Sequence, residues 1–102
     1  KSQGAFNISN DGNYQVNTLG GNITRSLVID SDRIVLSCSY HGLTSPTFSL
    51  IIINFQADVI ARIPYVFMKA IENTILVQEY TLVAITITEI VIFDLRTYTH
   101  IK

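Results

Sequence analysis

A chain of 102 residues has room for one domain. Hydrophobic residues make up 48% and charged residues 15%, against roughly 25% charged in an average soluble domain, so little polar surface is available to cover the apolar remainder. The net charge of -1 arises from scattered charges, which removes the basic patch that phosphate neutralisation needs and argues against nucleic acid as a partner.

The chain opens on Lys-Ser-Gln-Gly without an apolar leader, which reads as a piece of something longer. Ala5 to Ile8 and Tyr14 to Leu19 flank Asp11-Gly12, and Asp-Gly between such runs predicts a hairpin, residues 5–19, because glycine accepts the positive φ of a tight turn. Gly20-Gly21 then reads as a break and not as a phosphate loop, since no strand-to-helix pattern surrounds it. A first unit over residues 26–63 contains four predicted strands, at 26–30, 33–39, 48–55 and 58–63, rich in the β-branched residues that suit a pleated buried surface. Tyr40 to Thr47 is a loop punctuated by Gly42 and Pro46. Pro64 to Asn73 is the one place where a short helix is compatible with the sequence, but a structured connector is the preferred expectation, since short helices are marginal without packing. A second unit, within residues 64–102, repeats the four strands at 74–78, 81–86, 90–95 and 98–101. The longest apolar runs, such as Leu50 to Ile53 and Ile90 to Phe93, fall far short of the ~20 residues that a membrane-spanning helix takes, so a membrane is not expected as a partner.

The two units echo one another. Ser26 to Cys38 matches Thr74 to Thr86 at an offset of 48, and Leu50 to Phe55 matches Ile90 to Leu95 at an offset of 40, the difference falling in the intervening loop. A period of about 40 to 48 residues made of short strands predicts antiparallel four-stranded propeller-type blades. The small β-sandwich, in which the echo is only generic strand alternation, is the alternative all-β architecture. Ile52 and Ile92 stand at matched positions and are expected to be equally buried.

Thr81 to Leu95 resembles the second strand, tight turn and third strand of the WD-repeat β-propeller family, with Phe93-Asp94 where Trp-Asp usually closes the repeat and Ile53-Asn54 at that point of the first unit. The Gly-His pair that precedes the inner strand in that family is absent from both units. The resemblance implies one face built from the loops between blades and between second and third strands. Tyr40 to Thr47 and Tyr65 to Asn73 would share it, as a surface for protein or peptide.

No catalytic set stands out. Cys38 and His41 invite a thiol–imidazole pair, yet no orienting group accompanies them, and a buried small hydrophobe beside a loop histidine is the better expectation. Asp30-Ser31-Asp32 has two carboxylates but lacks the further oxygens and the glycine of a calcium loop, so it reads as a strand corner. One cysteine and two histidines make no zinc constellation. No metal or cofactor is expected. Asn7-Ile8-Ser9 and Asn22-Ile23-Thr24 fit the N-glycosylation pattern, which suits the secreted sandwich, whereas a lone cysteine suits an intracellular setting, cytoplasmic or nuclear. The sequence thus predicts a non-enzymatic interaction or scaffolding segment. Its expected partners are another protein, further blades or a second copy, and its candidate contact residues Tyr40, His41, Leu43, Tyr65, Phe67 and Met68, with packing in the core the favoured alternative for Tyr65, Phe67 and Met68 because large apolar groups are usually interior.

Overall fold

A run such as Leu50-Ile51-Ile52-Ile53 has no polar face to give to water, so it must lie in a sheet covered on both sides. The computed structural model describes residues 12–101, and there the run sits in the middle of a four-stranded sheet. The first sheet comprises β1 (Asn22–Val28), β2 (Ile34–Tyr40), β3 (Thr47–Ile53) and β4 (Val59–Arg62). The second comprises β5 (Asn73–Val77), β6 (Thr81–Ile85), β7 (Ile90–Asp94) and β8 (Thr99–His100). Within each sheet every strand pairs antiparallel with its neighbours in the chain, and no helix occurs among the described residues. The protein is all-β.

One local expectation changes. Residues 14–19 do not form a strand, and the first half of the expected hairpin lies outside the described residues. The physical reason is that side chains occupy the backbone carbonyls a ladder would use: Tyr40 Oη donates to Thr18 O at 2.6 Å and Arg62 Nη2 to Asn17 O at 2.7 Å. The connector after β4 is a structured, non-helical segment, in line with the preferred expectation. Ile63 N still donates to Leu50 O, Pro64 has no N–H to continue the ladder, and Phe67 rejoins β3 by exchanging two hydrogen bonds with Phe48, at 2.8 and 2.9 Å.

The internal echo survives as pairing register. Leu27 pairs with Val35 and Val35 with Ile52, just as Ile75 pairs with Val83 and Val83 with Ile92. Because successive strand residues point to opposite faces, each sheet has a front, carrying Leu27, Val35, Leu50 and Ile52 or their counterparts Ile75, Val83, Ile90 and Ile92. Each also has a back, carrying Leu36, Cys38, Ile51 and Ile53 or Ala84, Thr86, Val91 and Phe93. The sheets do not meet through equivalent faces. The main core joins the front of the first sheet (Val35, Leu50, Ile52) to the back of the second (Leu82, Ala84, Val91, Phe93), with Ile63, Phe67 and Ile71 of the connector filling it. Burying one such aliphatic or aromatic side chain stabilises by roughly 1.5 to 3 kcal/mol. A smaller core on the back of the first sheet contains Leu36, Cys38, Ile51 and Ile53, with Val16, Ile34, Tyr40 and Val59 packed against it.

Candidate functional site

The strand directions gather the connections at two ends. At one end lie the loop 41–46, the connector 64–72 and the turn 86–89. Thr86 shapes that turn, its Oγ1 accepting from the backbone N–H of Thr88 and Glu89 at 3.2 and 3.1 Å. Tyr65 Oη donates to Glu89 Oε1 at 3.0 Å, which ties the connector to the turn. This bond, helped by burial, holds the phenol proton and raises the Tyr65 pKa above the ordinary tyrosine value. The loop is closed tightly: a Cβ on Gly42 would come within 2.7 Å of Ser45 O.

The six expected contact residues divide here. His41, Leu43 and Met68 are exposed, Leu43 completely so. Phe67, at 0% exposure, is a core residue, which corrects its placement on a contact surface. Its backbone is locked to β3, and its ring stands edge-on to those of Tyr65 and Phe93, with centroids 4.8 and 6.1 Å away. Tyr65 is half-buried and also packs against Phe93 and His100, at 5.6 and 5.0 Å. Tyr40 is half-buried, committed through its hydroxyl to Thr18. Val66 and Ile87, both exposed at the same end, were not among the expected contacts. Their signal in the sequence is an apolar residue in a connection, two residues after Pro64 in one case and between Thr86 and Thr88 in the other.

At the opposite end a cleft of about 680 Å³ opens between the turns of the two sheets, with Arg33, Glu79, Tyr80 and Arg96 in its lining. Its cations are engaged. Arg33 binds Asp30 through Nε and Nη2 at 2.9 and 2.7 Å and crosses to the second sheet, where Nη1 donates to Leu95 O and Tyr98 Oη at 3.1 and 2.9 Å. Arg96 pairs with Asp94 at 2.9 Å and lies 3.8 Å above the Tyr80 ring. The corner Asp30-Ser31-Asp32 is a turn, Asp30 Oδ1 accepting from Asp32 N at 2.9 Å, and among the described residues no cluster of potential metal ligands forms.

Cys38 is fully buried, while His41 is exposed on the loop. Burial pushes the thiol pKa up, against smaller opposing effects of Arg62 and Tyr40. That environment withholds the thiolate a nucleophile needs.

The third surface is one that the notional symmetry of the units conceals. The front of the second sheet faces outward: Ile75, Val77 and Ile90 are exposed, and Val83, Ile85 and Ile92 are half-buried. Leu50 and Ile90 are counterparts, yet the first is 0% exposed and the second 66%. Comparison of the chain with models of protein families, with curated proteins and with solved structures finds no match to any of them.

Proposed function

We propose that this chain is a non-enzymatic protein-interaction or scaffolding segment of a WD-repeat-like β-propeller, working inside the cell in the cytoplasm or nucleus. The observation that carries the reading is the stacking of two register-equivalent four-stranded sheets front to back. Such stacking repeats by adding sheets, whereas a two-layer sandwich is complete with two. Contact between β1 and β5, the first strand of each sheet, accords with blades that share an inner edge. The charge-poor composition and the engaged cations of the cleft favour protein over charged small molecules as partner. On this reading the loop end is the contact surface, with His41, Leu43, Val66, Met68 and Ile87 available on it.

A photo-crosslinking residue at Leu43, introduced in the cells that make the protein, tests this. Discrete adducts with another protein are expected, and none from the same residue at Glu79 on the opposite end. Adducts of equal yield at both positions, or none at Leu43, overturn the reading. The alternative, a secreted β-sandwich recognition module, draws on the shared core of the two sheets and on the exposure of Asn22. Sugar found on Asn22 and Asn7 by mass spectrometry after secretory expression, together with a stable monomer, would favour it.

A further inference from the structure

We infer that residues 12–21 form a releasable strap, which leaves the back of the first sheet as a unit while both sheets stay folded. The inference stands apart from the interaction reading, which concerns the loop end. The closed strap lies over the smaller core, where Val16 packs against the cluster of Leu36, Cys38, Ile51 and Ile53. It pairs with no strand among the described residues. Side chains from the last residues of β2 and β4 clamp it instead, Tyr40 Oη at Thr18 O and Arg62 Nη2 at the preceding carbonyl, Asn17 O. A chain that covers an apolar face with its own segment holds that face in reserve. Closed, the strap bars contact through Leu36, Ile51 and Ile53; open, it presents them.

The attachment is shallow. Of residues 12–21 only Val16, Thr18 and Gly21 are half-buried, and the others are exposed. Leu19 is held at φ 59°, with Asn17 Oδ1 accepting from its N–H at 3.2 Å. Leucine rarely adopts that left-handed conformation, so release relieves strain. The connector 64–72 is the opposite case. It exchanges backbone hydrogen bonds with Phe48 and buries Phe67 and Ile71 in the main core, so it cannot leave without breaking that core. When the strap leaves, the ladders joining β1 to β2, β2 to β3 and β3 to β4 all persist. Segments with few buried apolar contacts and solvent-facing hydrogen bonds are the ones that open at a free energy below that of global unfolding. Opening also has a built-in reporter, because Cys38 is fully buried in the core that the strap covers.

Cys38 is the one cysteine of the chain, so a thiol reagent reads a single site. The test incubates the full chain with an aromatic disulfide reagent at urea concentrations well below the unfolding midpoint, and follows amide exchange by mass spectrometry on the same samples. Labelling at a rate nearly independent of urea is expected, with the amides of β1, β2 and β3 still protected, since a local opening exposes little surface. Val16→Ala removes the apolar anchor without touching Tyr40 or Arg62, the groups that bear on the thiol. This variant is expected to label about 3- to 10-fold faster, in keeping with the loss of a half-buried pair of methyl groups, and amide protection of its sheets verifies that it folds. A rate that rises with urea as steeply as global unfolding overturns the inference. So does loss of protection in β1 or β3 alongside labelling, an unchanged rate in Val16→Ala, or no labelling of the folded chain.

Discussion

Tyr40 shows how one aromatic residue can look like a contact anchor and serve the fold instead. Its ring lies over Gly21, where an added Cβ would come within 2.6 Å of two ring carbons, and its hydroxyl holds Thr18 O. The glycine is needed here for close approach, since its backbone is otherwise unremarkable in φ. Gly21→Ala is expected to displace the ring and break the bond to Thr18, at a cost of about 1 to 2 kcal/mol. Urea denaturation measures it, and an unchanged midpoint would mean that Tyr40 does not hold the 17–21 segment. Arg33 is a counterpart at the other end of the molecule, a side chain of a turn that bridges both sheets through Leu95 O and Tyr98 Oη.

At the scale of the elements, equivalent turns use equivalent caps. Asn54 Oδ1 accepts from the N–H of Gln56 and Asp58 at 2.9 Å each, and Asp94, its counterpart in the second sheet, accepts from Arg96 N at 2.8 Å. The side chain takes over backbone donors that the turn leaves free, the usual reason for Asn and Asp at such places. Asp94 carries a charge as well. The hydrogen bond from the Arg96 side chain, then that from its backbone, lowers the Asp94 pKa below the ordinary 3.8. A depressed folded-state value means that the contribution is fully present above 3.8 and is lost as pH falls through the lowered value. Asp30 adds to the same trend: burial by itself would raise it, but bonds from Arg33 and from Asp32 N prevail and lower it. Asp94→Asn keeps the turn acceptor and removes the charge. The variant is expected to be less stable than the parent at neutral pH and to converge with it in acid well below 3.8, as followed by urea midpoints across that range. A difference that persists unchanged into acid would show that the charge is not what matters.

For the molecule as a whole, the consequence is an asymmetry between equivalent units. Ile52 is fully buried and Ile92 only half-buried, contrary to the equal burial that their matched positions predict. Ile52→Ala is expected to cost about 2 to 5 kcal/mol in the isolated chain, and Ile92→Ala about half of that or less. Chemical denaturation of the two variants gives the comparison. Equal losses would mean that the front of the second sheet is already covered in solution by another copy. With the same face open, the isolated chain is expected to bind hydrophobic dye and to show concentration-dependent association in light scattering; a monodisperse monomer that binds no dye would mean that the face is not open in solution.

The strands and their local antiparallel order were largely readable from local pattern, because β-branched runs such as Ile51-Ile52-Ile53 and Ile90-Val91-Ile92 suit only a sheet interior, and Asp, Asn and Gly mark its corners; β1, which begins at Asn22, was expected only from residue 26. The stretch 14–19 misled, since alternation describes a surface that can pair, and the carbonyls at Asn17 and Thr18 went to the distant Arg62 and Tyr40. The contact residues were half readable: exposure of Leu43 follows from a loop bounded by Gly42 and Pro46, but the fate of Phe67 depended on Phe48, remote in the chain. The echo does not distinguish Leu50 from Ile90 or Ile52 from Ile92. Each pair occupies the same register position, Leu50 opposite Ser37 and Ile90 opposite Ile85, Ile52 opposite Val35 and Ile92 opposite Val83. Which of two like faces is covered depends on where the next sheet lies, a non-local fact, so the sequence specified two equivalent sheets and tertiary packing alone left one front open.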